Sequence, residues 1–173
     1  MLVLKAISYA AKMHKGQVRR ESGLPYVVHP MAVMELIQMY KGDSTNIDSL
    51  KCAALLHDVL EDTDSTYIEI EREFTPMVAS IVMELTSDEE AINEIGKNNY
   101  LKNKMINMSN YAFLLKLVDR LSNVIDSPRP KYVKDTITLM THIMAARVNI
   151  TSTQMNVIKA ILQECKGNYN EMD

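Results

Sequence analysis

Apolar residues recur at helical spacing along nearly the whole chain, and no useful stretch alternates them as a strand would. From Leu2 to Lys15 they fall at Leu2, Val3, Ala6, Ile7, Ala10 and Met13. That i, i+3, i+4, i+7 pattern gives a helix one apolar stripe. Gly16 follows as a stop signal. The same period predicts helices over Met31 to Tyr40, Ile47 to Leu60, Thr66 to Phe74, Pro76 to Leu85, Tyr111 to Ile125, Pro130 to Val148 and Ser152 to Cys165. Thr66-x-x-Glu69 reads as a capping box. Pro30 fits the first position of its helix, and Pro128 lies just beyond the end of another. Arg19 to Pro30, with Gly23 and Pro25, reads as a loop that delivers His29. Residues 86–108 are polar and rich in Lys and Asn, which suits a weaker helix, a lid or a mobile loop. With no hairpin signal, repeat or linker, one all-α domain of about seven to nine helices over 1–173 is expected.

The chain has 173 residues, 47% of them hydrophobic, enough for one domain with a real core. A formal net charge of −3 argues against a sequence-independent nucleic-acid binder. No apolar run approaches the ~18 residues of a membrane span, so no membrane association is expected. Met1-Leu2-Val3-Leu4-Lys5 lacks the basic start and cleavage site of a signal peptide. Cys52 and Cys165 read as reduced, buried thiols of a cytoplasmic protein. The 13 Met residues read as core filler.

Against this background His57-Asp58-Val59-Leu60-Glu61-Asp62 stands out. Four ionisable groups directly follow the apolar run Cys52 to Leu56. Charges are costly to bury unless paired or bound to a metal. On a continuous helix His57 stacks above Glu61, and Asp58 above Asp62. Asp119 and Asn123 repeat that spacing. His29, His57, Asp58 and Asp119 together offer two nitrogen and two oxygen ligands, a set suited to Mn²⁺, Fe²⁺ or Zn²⁺. Such a metal activates water and polarises a phosphoryl oxygen. Glu61 and Asp62, crowded beside it, suit water orientation and proton relay. His14 and His142 have no comparable neighbours and read as structural.

Three motifs carry a resemblance. They are Gly16-Gln17-x-x-Arg20-x-Ser22-Gly23-x-Pro25-Tyr26-x-x-His29-Pro30, Ala54 to Thr63, and Leu115-Lys116-Leu117-Val118-Asp119-Arg120-Leu121-Ser122-Asn123. In type, order and separation the chain resembles the HD-domain hydrolases, and within them the hydrolase module of RelA/SpoT-type alarmone enzymes. The likeness is strongest over 1–150. It implies a helical domain with one Mn²⁺ that hydrolyses the 3′-diphosphate of (p)ppGpp to GDP or GTP and pyrophosphate in the stringent response. It implies His29, His57, Asp58 and Asp119 as ligands, with Glu61 and Asp62 acting on water. It also implies that Arg20 packs on the base and Asn123 holds ribose or phosphate. Lys116 stands where the family also has Lys, as a further substrate contact. The planar guanidinium of Arg20 suits stacking on a base.

The chain departs from the family at Glu21, where a second basic residue is common, so that one basic contact is lost or supplied by Arg19. Leu24 and Asp126 depart from polar or Thr positions, and 88–108 diverges most. Within that segment Lys97, Lys102 and Lys104 read mainly as a solvated face. These departures keep other substrates open: an adenosine alarmone, the 2′-phosphate of NADPH, or a nucleoside triphosphate. A non-catalytic nucleotide sensor is the remaining class. The length leaves no room for a synthetase domain, so a small stand-alone hydrolase is expected, and a homo-oligomer is compatible with it.

Overall fold

The second half of α3 (Ile47–Leu56) is continuously apolar from Cys52 to Leu56, and the structure buries all five of those residues. The computed structural model describes residues 1–20, 22–126 and 129–170, with 168–170 as backbone only. Glu21 and Pro128, used in the sequence reading, lie outside the described residues. Those residues form eleven α-helices and one isolated bridge, Val18 with Pro25. They divide into two compact units, Met1–Thr86 and the chain from Ser87 onward.

In the first unit, α1 (Leu2–Met13), α2 (Val28–Lys41) and α6 (Pro76–Leu85) pack around α3. Leu50, Leu55 and Leu56 have no exposed surface. Burying one such side chain contributes about 1.5–3 kcal/mol, so this helix anchors whatever it carries at its end. Cys52 is buried there too, and burial, with Asp48 adding to it, pushes its thiol up to about 11. α4 (Val59–Asp62) and α5 (Tyr67–Glu73) follow. The predicted capping box is present. Thr66 Oγ1 accepts from Glu69 N at 3.3 Å, and Glu69 Oε2 accepts from Thr66 N at 2.8 Å.

The second unit holds α7 (Glu89–Ile95), α8 (Lys97–Asn107), α9 (Asn110–Asp126), α10 (Pro130–Ala146) and α11 (Ser152–Asn170). α11 packs on α9 and α10, and α8 packs on α10. Arg147 closes the end of α8. Its Nη1 donates to the carbonyls of Met105 (2.8 Å) and Ile106 (2.7 Å), and its Nη2 to Met108 (2.7 Å). Helix ends leave such carbonyls without intrahelical donors, and the guanidinium fork supplies three bonds at once. It also lies over the Phe113 ring at 4.0 Å.

Eight helices correspond to those predicted. Three more arise because the third predicted helix breaks into α3 and α4, and because 86–108, left open between a weaker helix, a lid and a loop, contains the two helices α7 and α8. Asp88 caps α7 through Ala91 N at 3.0 Å, and Gly96, at φ +80°, separates the two helices. The start of α2 also differs. Val28 and His29 are helical, and Pro30 is the third residue of the helix. The missing N–H of Pro costs nothing there, because the first turn has no acceptors for its donors. No helix among the described residues is long and apolar enough to cross a membrane.

Candidate functional site

His57 lies where α3 ends, and its own ring helps to end it. His57 Nδ1 lies 2.7 Å from the Ala54 carbonyl, the acceptor that Asp58 N would use in a continuous helix. His57 becomes the C-cap of α3, and Asp58 the N-cap of α4. The expected stacking of His57 above Glu61 along one helix is thereby replaced by a break between them. Asp58 and Asp62 keep their turn, since Asp62 N donates to the Asp58 carbonyl at 2.9 Å.

A carbonyl only accepts, so His57 Nδ1 carries a proton, and in its neutral form the ring presents a lone pair at Nε2. That Nε2 lies 3.0 Å from Asp58 Oδ2. Two lone pairs so close require a cation between them, either a ring proton or a metal. Two metal bonds of about 2.1 Å at a right angle span about 3.0 Å, so the pair fits one ion. His29, in the first turn of α2, brings its Nε2 to 3.9 Å from the same oxygen. The two imidazole rings lie 5.2 Å apart between centroids and are 3–4% exposed. Two buried imidazole nitrogens and a carboxylate therefore converge within the first unit, and they suit a divalent metal.

Glu61 and Asp62 project from α4 and are exposed. The Asp62 carboxyl is raised above its ordinary value, first by partial loss of water around it, then by the charges of Asp58 and Glu61. Because the residue remains open to solvent, water screens much of that effect.

Arg20 is exposed in a tight turn. Its loop is a small hairpin. Arg19 N donates to the Leu24 carbonyl at 2.8 Å, Gly23 N to Arg19 at 2.9 Å, and Tyr26 N to Gln17 at 2.9 Å. Gly23, at φ +68°, takes the left-handed conformation that turns the chain.

In the second unit Asp119 is 8% exposed on α9. Lys116 Nζ lies 3.1 Å from its Oδ2, and Asn123 Nδ2 donates to its Oδ1 at 2.7 Å. The two expected substrate contacts thus hold the carboxylate on the helical turns before and after it. Lys104, in the divergent segment, donates to Tyr100 Oη at 3.0 Å.

Sequence reasoning assigned no role to Tyr26 or Gln17 and read His14 as structural. Tyr26 Oη donates to Asp58 Oδ2 at 2.6 Å. Gln17 Nε2 donates to the Asp62 carbonyl at 2.8 Å, and its Oε1 accepts from His14 Nδ1 at 2.7 Å. Only the places of Gln17 and Tyr26 in the His29 motif hinted at this.

A family model described as "HD domain" matches residues 6–150. The chain belongs to the HD-domain family. Among the relatives of this HD-domain protein is the guanosine-3′,5′-bis(diphosphate) 3′-pyrophosphohydrolase MESH1 of Danio rerio, 33% identical over 74% of this chain and 70% of that protein. The guanosine-3′,5′-bis(diphosphate) 3′-pyrophosphohydrolase of Aquifex aeolicus is 36% identical over 70% of this chain but only 17% of its own length. A solved structure of a metazoan ortholog of SpoT, described as hydrolysing ppGpp with a role in starvation responses, aligns with a TM-score of 0.73. It is 25% identical and covers 93% of this HD-domain chain and 94% of that one.

Proposed function

We propose that this chain hydrolyses the 3′-diphosphate of (p)ppGpp, giving GDP or GTP and pyrophosphate. The observation that carries the reading is the convergence of His29, His57 and Asp58 in a chain whose relatives are named for this reaction. His29, His57, Asp58 and Asp119 hold one divalent metal, Mn²⁺ by family preference. When bound, that ion supplies Lewis acidity toward water and a phosphoryl oxygen. Asp119 enters the set from the Leu115-to-Asn123 motif, and the family match spans the motifs of both units. We take 1–173 as one HD-type hydrolase domain on that ground.

The chain's own groups then divide the work. Water attacks the phosphorus bonded to the ribose 3′ oxygen, and that P–O bond breaks. Glu61 and Asp62 orient the water and take its proton, and the departing 3′ oxygen gains one. With its carboxyl raised, Asp62 is the better placed of the pair to return a proton. Arg20, exposed on its turn, stacks on the guanine. Lys116 and Asn123 hold Asp119 and meet the ribose or phosphates.

The protein acts in the cytoplasm, on the alarmone-removing side of the stringent response. It needs no nucleic acid or membrane, and a homo-oligomer is compatible with it. Incubation with ppGpp and Mn²⁺, with products resolved by anion-exchange chromatography, tests the reading. Equimolar GDP and pyrophosphate are expected; no pyrophosphate with Mn²⁺ present overturns it. Parallel incubations with NADPH, an adenosine alarmone and nucleoside triphosphates decide whether Arg20, without the usual basic neighbour, selects guanine.

A further inference from the structure

Asp58 begins α4, yet its carboxylate makes no capping bond to that helix. An aspartate at this position ordinarily turns back onto the free amides of the first turn. Here the side chain is directed elsewhere, and Tyr26 directs it. The Tyr26 hydroxyl donates to Asp58 Oδ2 at 2.6 Å across 32 residues of chain. That same oxygen faces His57 Nε2 at 3.0 Å and His29 Nε2 at 3.9 Å.

Tyr26 is itself held in place. Its ring lies 4.8 Å from the His14 ring, and the Arg19 guanidinium lies 5.9 Å from its centroid. Its backbone N–H closes the hairpin on Gln17 at 2.9 Å. Gln17 reaches the other way to the Asp62 carbonyl at 2.8 Å, steadied by His14, which is only 3% exposed. The loop carrying Arg19 and Arg20 therefore grips α4 at both ends. Tyr26 holds the side chain of Asp58, and Gln17 the backbone of Asp62.

We propose that Tyr26 is a positioning residue whose hydroxyl turns the Asp58 carboxylate toward the two imidazoles and so couples the order of the Gln17-to-Tyr26 loop to metal affinity. The proposal rests on the reading of His29, His57 and Asp58 as metal ligands. Partners that orient metal ligands typically change affinity about 10–100-fold when removed. Without the hydroxyl, the carboxylate is released to cap its own helix, and the site loses its preset geometry.

The test is Tyr26→Phe, which keeps the ring and removes only the donor. Mn²⁺ is titrated calorimetrically into substrate-free wild type, Y26F and the control Tyr67→Phe. Y26F is expected to bind Mn²⁺ about 10–100-fold more weakly, with Y67F like wild type. Excess Mn²⁺ is expected to recover part of kcat, which damage to the fold does not allow, and not all of it, because the Tyr26 hydroxyl also bonds the Asp62 side chain. Wild-type Mn²⁺ affinity in Y26F overturns the proposal while leaving the hydrolase reading intact. A wild type that binds Mn²⁺ but spares ppGpp overturns that reading, and the affinity comparison still judges Tyr26. A wild type that binds no Mn²⁺ overturns both. If Y26F melts too low to titrate, a double-variant cycle with Asp58→Asn on urea midpoints decides. Non-additive effects support the pair, and additive effects overturn it.

Discussion

His57 Nδ1 and the Ala54 carbonyl, 2.7 Å apart, define both the end of α3 and the tautomer of the ring. One hydrogen bond removes an acceptor from the helix and leaves Nε2 as the ring nitrogen open to a ligand. His57→Ala is therefore expected to weaken Mn²⁺ binding beyond the ~100-fold that loss of a partner orienting a ligand reaches. Because a metal that binds only the folded state stabilises it, chelation should lower the melting temperature of wild type and leave H57A unmoved. Calorimetric titration and thermal melts with and without chelator check this. An equal response to chelator in both proteins would count against His57 as a ligand.

Asp62 gives a pH prediction for the metal-free protein. Its folded pKa is raised, first by partial burial and then by Asp58 and Glu61. Below the unfolded value of about 3.9, both states hold the proton and the site is neutral toward stability. Between that value and the raised one, the folded state keeps a proton that the unfolded state has lost. Stability thus falls as pH rises through this window, and the cost persists at neutral pH. Asp62→Asn should abolish turnover, melt at or above wild type at pH 7, and lose that advantage near pH 3.5. Melts across pH for both proteins decide it. A D62N melting point below wild type at pH 7 speaks against the shift.

Gly23 sits at φ +68° with open space where a side chain would go, so strain and not collision limits substitution. The left-handed conformation costs an L-residue about 1–2 kcal/mol. Gly23→Ala should loosen the hairpin that carries Arg20 and raise KM for the nucleotide several-fold. The global melting temperature should shift little, because the turn is exposed. A kcat loss at unchanged KM would show that the loop does not serve substrate binding.

Arg147 makes three bonds to carbonyls at the end of α8. Arg147→Met should destabilise the second unit by about 2–4 kcal/mol, less than three separate charged bonds sum to because the head is partly exposed. Arg147→Lys should recover less than half, since one ammonium cannot reproduce the fork. Urea unfolding of the three proteins measures both effects, and full recovery in R147K would leave charge alone as the explanation.

The sequence by itself determined the all-helical class, most helix starts and the residue types of the site. Those features are local. Period, caps such as Thr66 with Glu69, and the run from Cys52 to Asp62 are each written within a few turns of chain. Tertiary structure decided the rest. It placed the break between His57 and Asp58, where a side chain competes with the backbone for one carbonyl. It put His29 inside a helix, and it committed Lys116 and Asn123 to Asp119. It also brought Tyr26 to Asp58 and Gln17 to Asp62, contacts that span 32 and 45 residues. No periodicity encodes such bonds. They exist because burying α3 fixes where its end lies, and a carboxylate with no capping bond on its own helix takes the donor that packing brings within reach.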